Sequence, residues 1–211
     1  DLNFERLYSN HKGFELHEDP LKEEGYRIAE KYSDLKQIPI TLSLYDYKVS
    51  GVVGTYQNIA KAMIANLVSL YAPEEVKLVL VYNKHQEKEL KVFNDLPHMW
   101  SSDMKNRFVA TNEAEAYTLF GHLDEVIQER EGVLGKDDAR MPHYVVLVFD
   151  QKIVTNVPFR KTLLDAENLV GISSVFFGER FNQIPKECKA IIQKNEEFCG
   201  LYIKNINDNK V

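Results

Sequence analysis

Two stretches of this chain carry residue types that act on phosphates in other proteins. The first is Gly51-Val-Val-Gly54-Thr55-Tyr-Gln-Asn58-Ile59-Ala60-Lys61. A loop that cradles phosphates needs Gly, four residues, Gly, Lys, then Ser or Thr: glycines let backbone N–H groups wrap the anion, the lysine reaches the outer phosphates and the hydroxyl holds Mg²⁺. With Gly54 as the first glycine, Ile59 stands at the second, Ala60 at the lysine and Lys61 at the hydroxyl. Ile59 is β-branched and does not take the backbone shapes open to glycine. Lys61, one residue late on a helix, is turned by about 100° from the required direction. A dinucleotide fingerprint fits no better, because Gly51 and Gly54 lack the Gly-x-Gly spacing and the next strand ends in Tyr82-Asn83 where an acid would hold a ribose. What survives is a helix N-terminus with Thr55 and Asn58, able to attract an anion weakly. The plainer reading is that Gly51 and Gly54 let the chain turn.

The second stretch is Tyr144-Val-Val-Leu-Val-Phe149-Asp150-Gln151. An apolar strand ending in two acids holds Mg²⁺ through the first and orients an attacking water through the second. Asp150 stands at the metal position, and Gln151 stands where a glutamate would sit. Glutamine hydrogen-bonds water but cannot take its proton. The two stretches together read as an NTPase core that has lost its chemistry, and no cofactor is expected in it.

The elements that position these residues follow from periodicity. Residues 1–37 form an N-terminal lead-in segment with a helix over about 20–35, where Leu21, Gly25, Ile28, Tyr32 and Leu35 share one face and Pro20 suits the first turn. Ile40–Leu44 and Val49–Val53 alternate as strands, and Asn58–Tyr71 is a helix with Ile59, Ala62, Met63, Leu67 and Leu70 on its apolar face. Val76–Tyr82 is a strand buried on both faces, and Arg107–Ala110 is a short strand. A helix capped at Thr111 or Asn112 runs to about Arg130 with Leu119, Phe120, Leu123, Val126 and Ile127 inward. His143–Phe149 is a strand, Val157–Leu169 a helix, and Ser173–Phe177, Ala190–Gln193 and Leu201–Ile203 are strands, the last two close enough to add an antiparallel edge. Residues 38–211 are therefore expected to form a three-layer α/β domain, a mainly parallel sheet with helices on both faces.

Composition narrows the function. The 211 residues include 32 acids and 26 Lys plus Arg, a net charge of -6, which disfavours a nucleic-acid partner. A hydrophobic share of 44% supplies a core and excludes disorder. No apolar run reaches the roughly 20 residues of a membrane-spanning helix. The chain begins at Asp1 without a basic-then-apolar leader, as expected of a piece of a longer polypeptide. Cys188 and Cys199 are too few for a disulfide framework, do not match a zinc spacing and are expected to be reduced.

His98 and His143 each follow a proline; a paired-histidine site is one reading, and two imidazoles bonded to backbone is the favoured one. Trp100 reads as a packing anchor. The six acids Glu113, Glu115, Asp124, Glu125, Glu129 and Glu131 form a solvated face. That face could instead meet a basic surface, for which Arg130, Arg160 and Arg180 are available. No nucleophilic triad is visible.

Ile38–Leu44, Val49–Gly54, Val76–Tyr82, Leu96-Pro-His-Met-Trp100 and Met141–Asp150, in this order, resemble the membrane-anchored, FtsK/SpoIIIE-like motor ATPases of type VII secretion, EssC and EccC. The likeness runs from about Pro20 to the C-terminus and points to the degenerate ATPase-like domain between the transmembrane helices and the first ATPase module. It implies a RecA/P-loop-NTPase-like fold on the cytosolic face of the membrane. Its implied partners are the stalk and ATPase modules of the same chain, other secretion components, and hexamer-forming copies. Coupling stalk to motors without catalysis is the role so implied; a nucleotide-responsive regulator or a cargo-docking domain are the alternatives.

Overall fold

The computed structural model describes residues 20–31, 41–131, 141–196 and 198–204. Two compact units divide the chain, Asp1–Thr41 and Leu42–Val211. In the first, helix α1 spans Pro20–Lys31, with Glu23 in its first turn and Arg27 bonded to Glu24 at 2.6 Å. The expected continuation to residue 35, and the expected boundary after residue 37, lie outside the described residues.

The second unit is built on a seven-stranded sheet. Its strands are β1 (Val49–Gly54), β2 (Val76–Val81), β3 (Val109–Ala110), β4 (His143–Val148), β5 (Ile172–Gly178), β6 (Ala190–Lys194) and β7 (Cys199–Ile203), in the order β3-β2-β4-β5-β1-β6-β7. All pairs are parallel except β6 with β7, so the expected antiparallel edge is present. Period-two alternation sorts the side chains into two layers. Val79, Val81, Val146, Val148 and Phe176 face one cluster; Leu78, Leu80, Val145, Leu147 and Val175 face the other. Helix α2 (Gln57–Leu70) contributes Ala60 and Ile64 to the second cluster. After the short α3 (Glu87–Leu90), helix α4 (Glu113–Glu131) contributes Ala116, Leu119, Phe120, Leu123 and Ile127 to the first. The three-layer arrangement is therefore the expected one.

Several boundaries follow from side chains competing with the backbone. Asn112 accepts from the Glu115 N–H at 3.0 Å while Glu115 accepts from the Thr111 N–H at 2.7 Å, a reciprocal cap that starts α4 where expected. Of the expected strand at Ile40–Leu44, the described residues 41–44 do not form a strand. Within the described part, Ser43 accepts through its Oγ from the Asp46 N–H and through its carbonyl from the Tyr47 N–H, closing a turn. The expected helix over Val157–Leu169 shrinks to α5 (Arg160–Leu163). Asp165 accepts from the Glu167 N–H at 2.9 Å, and Asn168 donates to the carbonyls of Asp165 and Ile172, so both divert the chain from helical bonding. On α2, Ile59, Met63 and Leu67 pack inward as expected and Val68 joins them, whereas Ala62 and Leu70 are exposed.

Candidate functional site

Ligands in open parallel sheets gather at the carboxyl ends of the strands. Here β1 and β4, which carry the two candidate stretches, are separated by β5. Gly51 is buried in β1, where a Cβ would come within 2.7 Å of the Ile184 side chain and 3.4 Å of the Cys188 sulfur. Gly54 ends β1 at φ +101°, a left-handed conformation that suits glycine, and a Cβ there would lie 1.9 Å from the Lys194 carbonyl oxygen. That carbonyl also accepts the Thr55 N–H at 2.8 Å. The first backbone donor of the turn is thereby spent on β6.

The remaining loop positions scatter. Thr55 and Asn58 are exposed, Ile59 rests against the core, and Ala60 is buried. Lys61 points to Glu89, 3.1 Å away, and stays half in solvent. Tyr56, which the motif comparison does not single out, turns inward. Its ring lies 5.5 Å from Phe177 and 6.3 Å from Phe149, and those two stack at 4.4 Å with a 5° interplanar angle. Gln86 ties this group to the end of β2, donating to the Tyr56 hydroxyl at 3.2 Å and to the Phe149 carbonyl at 3.3 Å.

Asp150 is placed directly after β4, as the sequence suggests, but both carboxylate oxygens have protein partners. Oδ2 accepts from Asn83 at 2.9 Å and Oδ1 from the Lys152 N–H at 3.0 Å, which makes Asp150 the cap of a short 3-10 helix, Gln151–Val154. The Gln151 amide donates to the Gln183 carbonyl. Asp150 and Gln151 share an open cavity of about 400 Å³ with Tyr56, Phe177, Glu179 and Asn182. Thr55, Asn58 and Lys61 do not line it. The structure thus joins the two acid-stretch residues to an aromatic cluster and leaves the phosphate-loop positions outside.

The two histidines hold different partners. His98 bonds the Tyr71 carbonyl at 2.8 Å, and His143 bonds Ser173 Oγ at 2.8 Å. Burial, then the Arg130 and Lys48 charges, lowers the His143 pKa from 6.5 to about 4. Arg130 is 8% exposed and donates to the Val170 and Pro142 carbonyls, so it is not available for an external acid. Arg180 remains exposed on the loop after β5. Trp100 packs partly buried against the second cluster, with the Arg107 guanidinium 5.9 Å from its ring centroid. Both cysteines are free, and burial followed by the neighbouring Glu187 pushes the Cys188 thiol up to about 12.

Tyr56, Asn83, Gln86, Phe177 and Gln183 are the site residues that motif reasoning misses. Aromatics at the ends of two strands are a weak signal in sequence, since each alone reads as core.

Comparison with known proteins adds the lineage. Residues 57–156 match the FtsK/SpoIIIE family. The ESX secretion system protein EccC of Geobacillus thermodenitrificans is 23% identical over 180 residues, 83% of this chain and 12% of that protein. Among solved structures, Thermomonospora curvata EccC (ATPases 2 and 3, with a signal sequence peptide) superposes at TM-score 0.56 and 14% identity over 74% of this chain and 31% of that one. The cytoplasmic domain of T. curvata EccC gives the same TM-score of 0.56, 14% identity and 74% coverage, with 20% of that chain covered. The cytoplasmic domain of EssC gives 0.50 and 14% identity over 70% of this chain and 32% of that one. These likenesses share the mostly parallel sheet described above. Among the described residues no helix is long and apolar enough to cross a membrane. Residues 57–156 thus match the FtsK/SpoIIIE family, and the chain is similar in sequence to EccC of type VII secretion and in fold to EccC and EssC.

Proposed function

We propose that the unit Leu42–Val211 is a non-catalytic ATPase-like domain of a type VII secretion motor, standing on the cytoplasmic side of the membrane between a membrane-anchored stalk and catalytic ATPase modules. Its work is mechanical: it transmits or restrains motion between the two. The observation that carries this reading is the closure of the β1–α2 turn on β6. A triphosphate needs the turn's N–H groups turned toward it, and here the Thr55 N–H is held by the Lys194 carbonyl, against which Gly54 packs too closely for any side chain. The residues at this end of the sheet do not fit Mg-ATP, since Lys61 is directed to Glu89 and no second acid follows Asp150. The chain spans only 12% of its EccC relative, and the motor activity belongs to the rest of such a protein.

The test is made in the full-length secretion protein. Replacing this unit by a flexible linker is expected to abolish export while the ATPase modules continue to hydrolyse ATP. Export at the unaltered rate overturns the coupling role.

A further inference from the structure

The two edges of the sheet differ. At β3 the even-numbered residues turn their backbone groups inward: Asn106 and Phe108 bond Ser101 and Met99, while the Phe108 and Ala110 carbonyls accept from Leu80 and Tyr82. Alternation then directs the N–H and C=O of Arg107 and Val109 outward, and β3 is the last strand on this side. These four groups have no backbone partner among the described residues. Beside them runs α4, and a cavity of about 400 Å³ lies between helix and edge. Val109, Ala114 and Leu119 give it apolar lining, Lys105 and Arg107 give it cations, and His122 adds an imidazole. Its one acid, Glu115, is engaged by the Thr111 N–H and hydroxyl.

We propose that this groove binds an extended peptide segment bearing acidic side chains, which adds to β3 as a further strand. Edge backbone groups supply hydrogen bonds to any extended chain, and the lining selects which chain by its alternate side chains. The selection here is for carboxylates, because Lys105 and Arg107 line the groove in a chain of net charge -6, with His122 beside them as a hydrogen-bonding imidazole. Existing partners are exposed and exchange readily: Lys105 with Asp103 at 3.4 Å, His122 with Glu125 at 3.7 Å, and Arg107, 5.9 Å from the Trp100 ring centroid and near enough to Glu115 to favour its carboxylate. The proposal does not depend on the state of the nucleotide site.

The test titrates the whole chain, at low ionic strength, into a fluorescein-labelled octapeptide of alternating valine and glutamate, read by anisotropy. Saturable binding is expected, with hydrogen exchange at the Arg107 and Val109 amides slowed in the complex. Val109→Pro removes an outward N–H without removing a ladder bond, and is expected to weaken binding by about tenfold or more. Arg107→Glu should do the same and keeps the result interpretable if the proline variant does not fold. Alternating valine and lysine, or the acidic peptide N-methylated at alternate residues, should not bind. Absence of saturation at millimolar peptide overturns the proposal. So does equal binding of the N-methylated peptide, or equal binding of a single-stranded oligonucleotide, which would leave charge alone as the attraction.

Discussion

The two ends of the sheet are held together by opposite means. At the carboxyl end the seal is aromatic: Phe149 on Phe177, Tyr56 beside both, and the Lys194 carbonyl against Gly54. At the amino end it is charged and polar. Arg130 donates at 2.8 Å to both the Val170 and Pro142 carbonyls and lies 5.1 Å from the Tyr144 ring centroid. Lys48 donates to the Asn168 carbonyl, and His143 bonds Ser173, whose hydroxyl donates to the Leu44 carbonyl at 2.6 Å. In a sheet that binds anions the charge belongs at the carboxyl end. Here the buried charge of Arg130 secures loops at the amino end, while the carboxyl end is held by aromatic packing together with the hydrogen bonds of Asp150 and Gln86.

Variants that attack each seal should separate the two. The largest loss is expected from Phe177→Ala, about 3–5 kcal/mol in urea unfolding, because a side chain only 2% exposed leaves a cavity under Tyr56 and Phe149. A loss below about 1 kcal/mol would mean that the aromatic seal can collapse around the gap. Next comes Arg130→Met, expected at about 3 kcal/mol, since two carbonyls lose charged donors while the apolar stem is kept. That variant should leave the carboxyl end unchanged, as hydrogen exchange at Thr55 would report.

The amino end should also respond to pH. His143 is held neutral in the fold, with a pKa of about 4 against 6.5 when free. The unfolded chain therefore takes up the proton first. This contribution is complete above about pH 6.5, declines as the pH falls toward 4 and levels off below it, by up to about 3 kcal/mol. His143→Gln, which keeps a donor for Ser173, should flatten the profile in unfolding measured from pH 7.5 to about 4. An unchanged profile would assign the acid sensitivity to other groups. The smallest effect is expected from Asp150→Ala, about 1 kcal/mol, the loss of a cap and of the link to Asn83.

What the sequence makes legible is local. Val76–Val81 and His143–Val148 announce themselves as strands because continuous apolar runs suit a sheet covered on both faces. Asn112 with Glu115 marks the start of α4 by a cap written within four residues. Lys77 breaks its apolar run yet is 4% exposed, its ammonium reaching the Pro97 carbonyl at 3.4 Å. Failures arise where distant partners decide. Alternation at Ile40–Leu44 suggests a strand, but Leu44 is a strap whose carbonyl is fixed by Ser173. Arg130 reads as a surface residue at the end of an acidic helix until the Val170 and Pro142 carbonyls are seen around it. The phosphate-loop departures at Ile59, Ala60 and Lys61 are visible in sequence; the closure of that loop is not, because Lys194 is far along the chain and contributes only a carbonyl.

The central claim is that the carboxyl end of the sheet no longer receives nucleotide, and thermal unfolding of the chain with and without saturating Mg-ATP tests it most directly, with a catalytic ATPase module as the positive control. A ligand at a hundred times its dissociation constant adds about 2.7 kcal/mol, roughly 5–10 °C for a domain of this size. The account predicts no shift for this chain beside a clear one for the control. A saturable shift that disappears in Asp150→Ala would contradict it.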